Sequence, residues 1–260
     1  MNRIEKCFSE LAADNKKALI TFVTAGDPDL ETTEKLVLTM FENGSDIIEL
    51  GVPFSDPIAE GVTIQEASLR SLKAGTNLNK IFDTVVKIRE KTDKPLILMM
   101  YINTIFVYGT EKFFGKCREC GIDGVIIPDL PFEERDEVLD TAEKYGIFNI
   151  NLAAPTSHDR IKEIASGSKG FLYCVSSTGV TGTRSSFSTD FDEFFGTIYK
   201  YAKCPCAVGF GISGPEQAKK MSAYCDGVIV GSAIVKIVAK YGKDSAEKVG
   251  EFVSELKKAI

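Results

Sequence analysis

Near its N-terminus the chain contains the run Ala18-Leu19-Ile20-Thr21-Phe22-Val23, in which Thr21 is the one polar residue. A strand with one face in water alternates apolar and polar residues, whereas a near-continuous apolar run is typical of a parallel strand covered on both faces. Seven further strand candidates follow, separated by amphipathic stretches of helical length. The eight predicted strands cover residues 18–24, 47–51, 95–101, 124–128, 148–152, 170–175, 206–210 and 227–230.

This regular alternation predicts an α/β fold, specifically a closed (β/α)8 TIM barrel of parallel strands with helices around it. An amphipathic segment at residues 2–13 precedes the first strand, so we expect an extra N-terminal helix that plugs the bottom of the barrel. A length of 260 residues allows one or two domains. Because no linker, low-complexity tract or change of composition divides the chain, we predict a single TIM-barrel domain covering residues 1–260.

The composition argues against several classes of protein. A net charge of −6 disfavours a nucleic-acid binder, although a local pocket can still hold one small anion. We expect no membrane association, because no apolar run approaches the length of a membrane span. Seven scattered cysteines predict free thiols in a reducing, cytoplasmic environment. With His158 as the single histidine and no complete set of four ligands around Cys117 and Cys120, we predict no metal site.

Glycine-rich segments follow three consecutive predicted strands. Gly209-Phe210-Gly211-Ile212-Ser213-Gly214 follows the seventh strand, Gly231 and Ser232 follow the eighth, and residues 178–184 follow the sixth. Glycines let backbone N–H groups approach an oxyanion, and a helix beginning near Ser232 adds its positive end. Barrel enzymes often hold phosphate in the loops after the seventh and eighth strands. The pattern predicts a phosphorylated small-molecule substrate, although glycines at any one loop can simply form the turn.

Two carboxylates stand out near the end of the second predicted strand. Glu49 interrupts an apolar strand, and a carboxyl that points into the barrel mouth has a raised pKa suited to general acid and base catalysis. Glu60 lies in the following loop, from which it can reach the same pocket. The residues alone leave the alternatives open that Glu49 faces solvent or pairs with a lysine, that Glu60 is a surface carboxylate and that Asp56 only forms a turn.

The segment from Glu49 to Pro57, Glu-Leu-Gly-Val-Pro-Phe-Ser-Asp-Pro, resembles the signature of tryptophan synthase alpha subunits. Four more segments resemble that family in the same order along nearly the whole chain. They are Thr24-Ala25-Gly26-Asp27-Pro28, Gly179-Val180-Thr181-Gly182, Gly209-Phe210-Gly211-Ile212-Ser213 and Gly231-Ser232-Ala233-Ile234-Val235.

The resemblance implies a carbon–carbon lyase of tryptophan biosynthesis that cleaves indole-3-glycerol phosphate to indole and glyceraldehyde 3-phosphate. By similarity, Glu49 is the acid and base, Glu60 accepts a hydrogen bond from the indole N–H, and Tyr173 lies near the substrate. The family usually has aspartate where this chain has Glu60, and proline is common where it has Val62. The residues that match substrate contacts are Phe22 and Tyr101 at the indole, Thr181 in the sixth loop, and Gly182, Gly211, Gly231 and Ser232 at the phosphate.

The resemblance also implies a partner. The family forms an α2β2 complex with a beta subunit that carries pyridoxal phosphate, and Pro53, Phe54, Ser55 and Asp56 would face that subunit. No cofactor is expected in this chain, which has no extended dinucleotide fingerprint. Two other functions stay open. One is a mainly regulatory partner of the beta subunit with weak catalysis of its own because of Glu60, and the other is a different barrel enzyme, such as an isomerase of a phosphorylated sugar or indole precursor.

Overall fold

The computed structural model describes residues 1–155, 158–175, 190–209 and 211–260. Its strands form one parallel sheet in the order β5-β4-β3-β2-β1-β9-β8-β7-β6. The strands are β1 Ala18–Thr24, β2 Ile47–Gly51, β3 Leu96–Met99, β4 Gly124–Ile126, β5 Phe148–Ile150, β6 Leu152–Ala153, β7 Leu172–Val175, β8 Cys206–Gly209 and β9 Gly227–Val230.

The two outer strands of this sheet are separated by one residue of the chain. β5 pairs with β4, β6 pairs with β7, and Asn151 alone lies between β5 and β6. The backbone N–H of Tyr173 donates to the carbonyl oxygen of Asn151 at 3.0 Å, which extends the β6–β7 ladder to Asn151. β5 and β6 are therefore two parts of the fifth predicted strand, interrupted at Asn151. The predicted (β/α)8 barrel is confirmed. The extent of the domain stays a prediction.

Helices surround the barrel and precede its first strand. They are α1 Arg3–Ala13, α2 Leu30–Glu42, α3 Val62–Lys73, α4 Leu78–Arg89, α5 Ile102–Tyr108, α6 Thr110–Cys120, α7 Asp136–Lys144, α8 His158–Ser166, α9 Phe191–Tyr201, α10 Pro215–Ser222, α11 Ser232–Tyr241 and α12 Ser245–Ala259. Within the four described ranges, no helix is long and apolar enough to cross a bilayer.

The extra helix α1 closes the lower end of the barrel, as the sequence predicts. Asn2 caps it, accepting from the backbone N–H of Ile4, while Glu5 reaches back to the N–H of Asn2. Ile4 and Phe8 are buried in the same cluster as the lower barrel residues, and the rings of Phe8 and Phe171 lie 5.7 Å apart. The bottom of the barrel is therefore filled with apolar side chains.

The strand register sets which side chains share a level in the barrel. Phe22 lies opposite Glu49, and Glu49 lies opposite Ile97. Because side chains alternate along a strand, Glu49 points to the same side as Ile47, two residues earlier. Ile47 belongs to the apolar cluster inside the barrel, so Glu49 lies one level closer to the carboxyl ends of the strands. That end is where barrel enzymes carry their chemistry.

Candidate active site

Glu49 is a fully buried carboxyl group. Its side chain has no exposed surface, and neither carboxyl oxygen has a hydrogen-bond partner among the residues that the structure describes. Burial raises the pKa of Glu49 from its ordinary 4.5 to about 8, because the charged form loses its hydration. Buried polar groups are normally paired, so an unpaired one in a cavity indicates a group that waits for a ligand. At neutral pH this carboxyl is mostly protonated and can both give and take a proton.

A cavity of about 680 Å³, including its part open to solvent, lies above Glu49 at the barrel mouth. All three predicted catalytic residues line it. The predicted site residues found in the lining are Phe22, Glu49, Glu60, Tyr173, Gly211, Gly231 and Ser232. The structure therefore brings together two carboxyl groups, one tyrosine and the loops that follow β8 and β9.

Apolar side chains make the walls of this cavity. Phe22 enters from β1, and a Cβ atom placed on Gly51 would lie 2.5 Å from the tip of its ring, so the glycine of β2 leaves room for that ring. The other apolar wall residues were not among the predicted site residues. They are Ala59, Ile64, Met99, Pro128, Leu152, Ile212 and Ile229. Alternation along the strands could have indicated Met99 and Ile229, whereas Ile64 comes from a helix. The walls suit a flat apolar group.

Tyr173 approaches Glu49 from the opposite side of the barrel. The pKa of its hydroxyl is raised well above the ordinary value by burial and, to a smaller extent, by the nearby Glu49 carboxyl. A Cβ atom on Gly209 would lie 2.4 Å from the hydroxyl oxygen of Tyr173, so only glycine leaves space for it there. The phenol therefore stays neutral and can act as a hydrogen-bond donor.

Glu60 reaches the cavity from the loop between β2 and α3. The hydroxyl of Tyr101 donates to its Oε2, and Gln65 Nε2 donates to its backbone carbonyl at 2.8 Å. Burial raises the pKa of Glu60, and the hydrogen bond from Tyr101 acts in the opposite direction. The resemblance predicts Tyr101 as an apolar wall at the indole. The residues that line the cavity in the described part of the chain do not include Tyr101, whose hydroxyl contacts the lining residue Glu60.

The loop after β9 also borders the cavity. Gly231 and Ser232 line it, and α11 begins at Ser232 with Gly231 as its N-cap. The first turn of a helix has N–H groups without intrahelical acceptors, which together with the helix dipole attract an anion. Gly211 also lines the cavity, and its φ of +86° is a conformation that favours glycine. This arrangement suits a phosphate group.

Part of the predicted site lies outside the described residues. Thr181 and Gly182 fall within residues 176–189, and Phe210 is likewise not described. Within the described residues, no group of histidine, cysteine, aspartate and glutamate side chains could hold a metal ion.

The segment predicted to face a partner lies beside Glu60 on the rim. Pro53 is buried, Phe54 is partly buried, and Ser55 and Asp56 are exposed. The ring of Phe54 stacks on that of Tyr101 with 4.9 Å between centroids. The segment is therefore in direct contact with the residue that holds Glu60.

Comparisons with known proteins agree on one family. A family model described as tryptophan synthase alpha chain matches residues 8–260. The chain is 53% identical to the tryptophan synthase alpha chain of Thermoanaerobacter sp. (strain X514) and 49% identical to that of Clostridium kluyveri, each over all of both chains. The crystal structure of tryptophan synthase subunit alpha from Legionella pneumophila str. Paris superposes with a TM-score of 0.89 at 36% identity, covering 100% of this chain and 98% of that one.

A chain in the crystal structure of the tryptophan synthase complex from Pyrococcus furiosus has a TM-score of 0.84 at 36% identity. The superposition covers 92% of this chain and 97% of that chain. The similarity therefore extends to a protein crystallised as part of a complex.

Proposed function

Because this chain belongs to the tryptophan synthase alpha chain family, we propose that its cavity binds indole-3-glycerol phosphate, which the enzyme cleaves to indole and glyceraldehyde 3-phosphate. The reaction is a retro-aldol cleavage that breaks the bond between C3 of the indole ring and the glycerol side chain. One observation carries the assignment of residues. The carboxyl of Glu49, which has no hydrogen-bond partner among the described residues, shares a cavity with Glu60 and the N-terminus of α11.

In the first step, Glu49 donates its proton to C3 of the indole ring. A pKa of about 8 keeps this carboxyl protonated at neutral pH, so the acid is present before the substrate binds. Positive charge then develops at the ring nitrogen. The Glu60 carboxylate accepts a hydrogen bond from the indole N–H and stabilises that charge.

In the second step, Glu49 acts as a base. Its carboxylate removes the proton from the hydroxyl on the side-chain carbon that is bonded to C3. This side-chain carbon becomes the aldehyde as its bond to C3 breaks. The electron pair of the broken bond returns to the ring, which restores neutral indole. The proton that Glu49 gave stays on C3 of the indole, and the hydroxyl proton replaces it on Glu49. The enzyme thereby returns to its starting state, and none of these steps requires a cofactor in this chain.

The phosphate of the substrate binds, in this proposal, at Gly211, Gly231 and Ser232. The apolar walls around Phe22 hold the indole ring, and Tyr173 donates a hydrogen bond near the reacting carbons. We also assign contacts with the substrate to Thr181 and Gly182 by resemblance. Because the indole ring and the phosphate are both bound, the scissile bond between them is oriented over Glu49.

The phosphate site can be tested by placing a negative charge at the start of α11. Ser232→Asp is expected to raise KM for indole-3-glycerol phosphate by about 100-fold, because like charges close together cost several kcal/mol. An acidic residue in the first turn favours the helix itself, so the melting temperature is expected not to fall. Steady-state kinetics and thermal unfolding measure the two effects.

Asn77→Asp is the matched control, since Asn77 caps α4 by accepting from the N–H of Lys80 and aspartate does the same. It is expected to leave KM unchanged. An unchanged KM in Ser232→Asp would place the phosphate elsewhere.

The partner in this proposal is a tryptophan synthase beta subunit in an α2β2 complex, and pyridoxal phosphate belongs to that subunit. The complex from Pyrococcus furiosus described above supports a partner of this kind. We propose that residues 53–56 contact the beta subunit, together with exposed apolar side chains on the same rim. Ile58 lies in the loop after β2, and Phe106 and Val107 lie on α5; their side chains are 76%, 48% and 80% exposed.

Indole release by the purified chain, measured with and without its beta subunit, tests the proposed function. We expect indole from indole-3-glycerol phosphate in both cases, with a faster rate when beta is present. A mainly regulatory partner would stimulate the serine chemistry of beta and produce no indole itself. An isomerase would consume a phosphorylated substrate and release no indole under either condition.

A further inference from the structure

We propose that Tyr101 is a positioning residue whose hydroxyl fixes the Glu60 carboxylate at the edge of the cavity. This inference rests on the proposed role of Glu60 and adds the group that holds it in place. Glu60 lies in a loop and has several rotatable bonds, so its carboxylate needs a fixed contact to stay oriented toward a ligand. Tyr101 supplies that contact from the turn after β3, the strand that pairs with β2.

The hydrogen bonds around the Tyr101 hydroxyl leave it one orientation. A phenol oxygen accepts up to two hydrogen bonds and donates one. The backbone N–H groups of Ile58 and Ala59 donate to this oxygen at 3.0 and 2.9 Å. Because both acceptor positions are occupied, the remaining proton donates to Glu60 Oε2. The hydroxyl therefore favours the ionised form of Glu60, which is the stronger acceptor for an indole N–H.

Tyr101 itself is held rigidly. The residue is 4% exposed, and it is the N-cap of α5, two residues after the end of β3. The next residue, Ile102, donates its backbone N–H to Asp129 Oδ1 at 2.9 Å, which fastens this turn to the loop after β4. The ring of Phe54 stacks on the phenol at an interplanar angle of 28°. The barrel wall thus fixes the hydroxyl, and the hydroxyl fixes the loop that carries Glu60.

The same contacts give a physical account of glutamate at position 60. Tyr101 binds the loop backbone two residues and one residue before Glu60, so the distance from that backbone to the carboxylate is set by the side chain of residue 60. The glutamate side chain is long enough for its carboxylate to reach the Tyr101 hydroxyl, which also accepts from the backbone of the same loop. Aspartate has one methylene fewer, and its carboxylate would lie about 1.5 Å further back.

Tyr101→Phe tests the proposal, because it removes the hydroxyl and keeps the ring on Phe54. We expect kcat for indole release to fall by about 10- to 100-fold, the loss typical of a hydrogen bond to a charged group. KM is expected to change less than about 3-fold, since the charge at the indole nitrogen develops in the transition state. The Tyr101 hydrogen bond lowers the pKa of Glu60. Its loss therefore moves the acid limb of the pH–rate profile to higher pH.

Tyr108→Phe is the matched control. It removes another phenol hydroxyl close by, which donates to Asn79 Oδ1 at 2.8 Å, away from the cavity. This variant is expected to keep the kcat and the pH profile of the wild type. If Tyr101→Phe behaves in the same way while the wild type releases indole, the positioning role of Tyr101 is wrong. A wild type that releases no indole would instead overturn the proposed function.

A second variant keeps the hydroxyl and the fold. Fluorination of the Tyr101 ring beside the hydroxyl makes the hydroxyl a stronger donor, which stabilises ionised Glu60. The acid limb of the pH–rate profile is then expected to move to lower pH, opposite to its movement in Tyr101→Phe. Limbs that move in the same direction in both variants would contradict a role through the donated proton.

Discussion

Glu49→Gln is expected to reduce the rate of indole release by about 10⁴-fold or more. Glutamine has nearly the same shape, but it can neither protonate C3 nor remove the hydroxyl proton. One general acid or base contributes about 10²- to 10⁴-fold to a rate, and Glu49 acts as both in the proposed mechanism. Because the phosphate end of the cavity is unchanged, calorimetry should find that indole-3-glycerol phosphate still binds with an affinity close to that of the wild type.

Glu66→Gln is the control for this substitution. Glu66 is an exposed carboxylate on α3, so its replacement makes the same chemical substitution away from the cavity and should leave turnover intact. If Glu49→Gln retained the activity of Glu66→Gln, Glu49 would have no part in the mechanism.

The variant Glu49→Gln should also reveal the raised pKa of Glu49 through its effect on the free energy of unfolding. The unfolded chain releases this proton near pH 4.5 and the folded chain near pH 8, so between these values the folded state holds an extra proton. The free energy of unfolding contributed by Glu49 therefore falls as the pH rises through that window. Denaturant unfolding of Glu49→Gln should show a gain over the wild type that grows from pH 4.5 to pH 8. A gain independent of pH would contradict the raised pKa.

The pH dependence of wild-type turnover follows from the same group. Because free Glu49 must be protonated to start the reaction, kcat/KM is expected to fall above about pH 8. On the acid side, protonation of Glu60 is expected to reduce the rate.

Glu60→Asp is expected to lower kcat by about 100-fold. Removing one methylene withdraws the carboxylate by about 1.5 Å, and a misplacement of about 1 Å can cost on that order. The shorter side chain also loses its contact with the Tyr101 hydroxyl, which keeps its two bonds to the loop backbone. Steady-state kinetics of indole release measure the effect, and we expect KM to change much less than kcat.

Glu66→Asp is the matched control, because it shortens an exposed glutamate in the helix that follows the same loop. The direction of the change in Glu60→Asp is decisive. A large rise in rate would mean that glutamate compromises the native site, and it would favour the mainly regulatory role. A fall means that the pocket is adapted to glutamate.

The positions of the strands could be predicted well, because a strand that is buried on both faces has a near-continuous run of apolar residues. Strands β1, β2 and β9 have the predicted bounds, and β3, β4 and β7 are shorter than predicted at one or both ends. The fifth predicted strand, which forms β5 and β6, ends one residue later than predicted, at Ala153. Apolar residues continue past the carboxyl ends of β3 and β4, where the backbone leaves the ladder, and one of them, Pro128, lines the cavity. The break at Asn151 was not predicted, since residues 148–152 form one apolar-rich run in the sequence.

The candidate site was predicted less evenly. Glu49 could be predicted as a site residue because a charged residue interrupts an apolar strand. The glycines after β8 and β9 could be predicted because of their number. Tyr101 looked like part of an apolar wall. Its contact with Glu60 joins residues that are 41 positions apart, and no local pattern encodes such a pair.

The sequence by itself determined the barrel, the plug at its base and the choice of carboxylates, because hydrophobic periodicity and interruptions of it are properties of short segments. Only the tertiary structure decided that Glu49 has no partner among the described residues, that its pKa is near 8 and that Tyr101 holds Glu60. Desolvation and hydrogen bonding depend on which groups meet across the closed barrel. Those meetings join distant parts of the chain and exist only once it has folded.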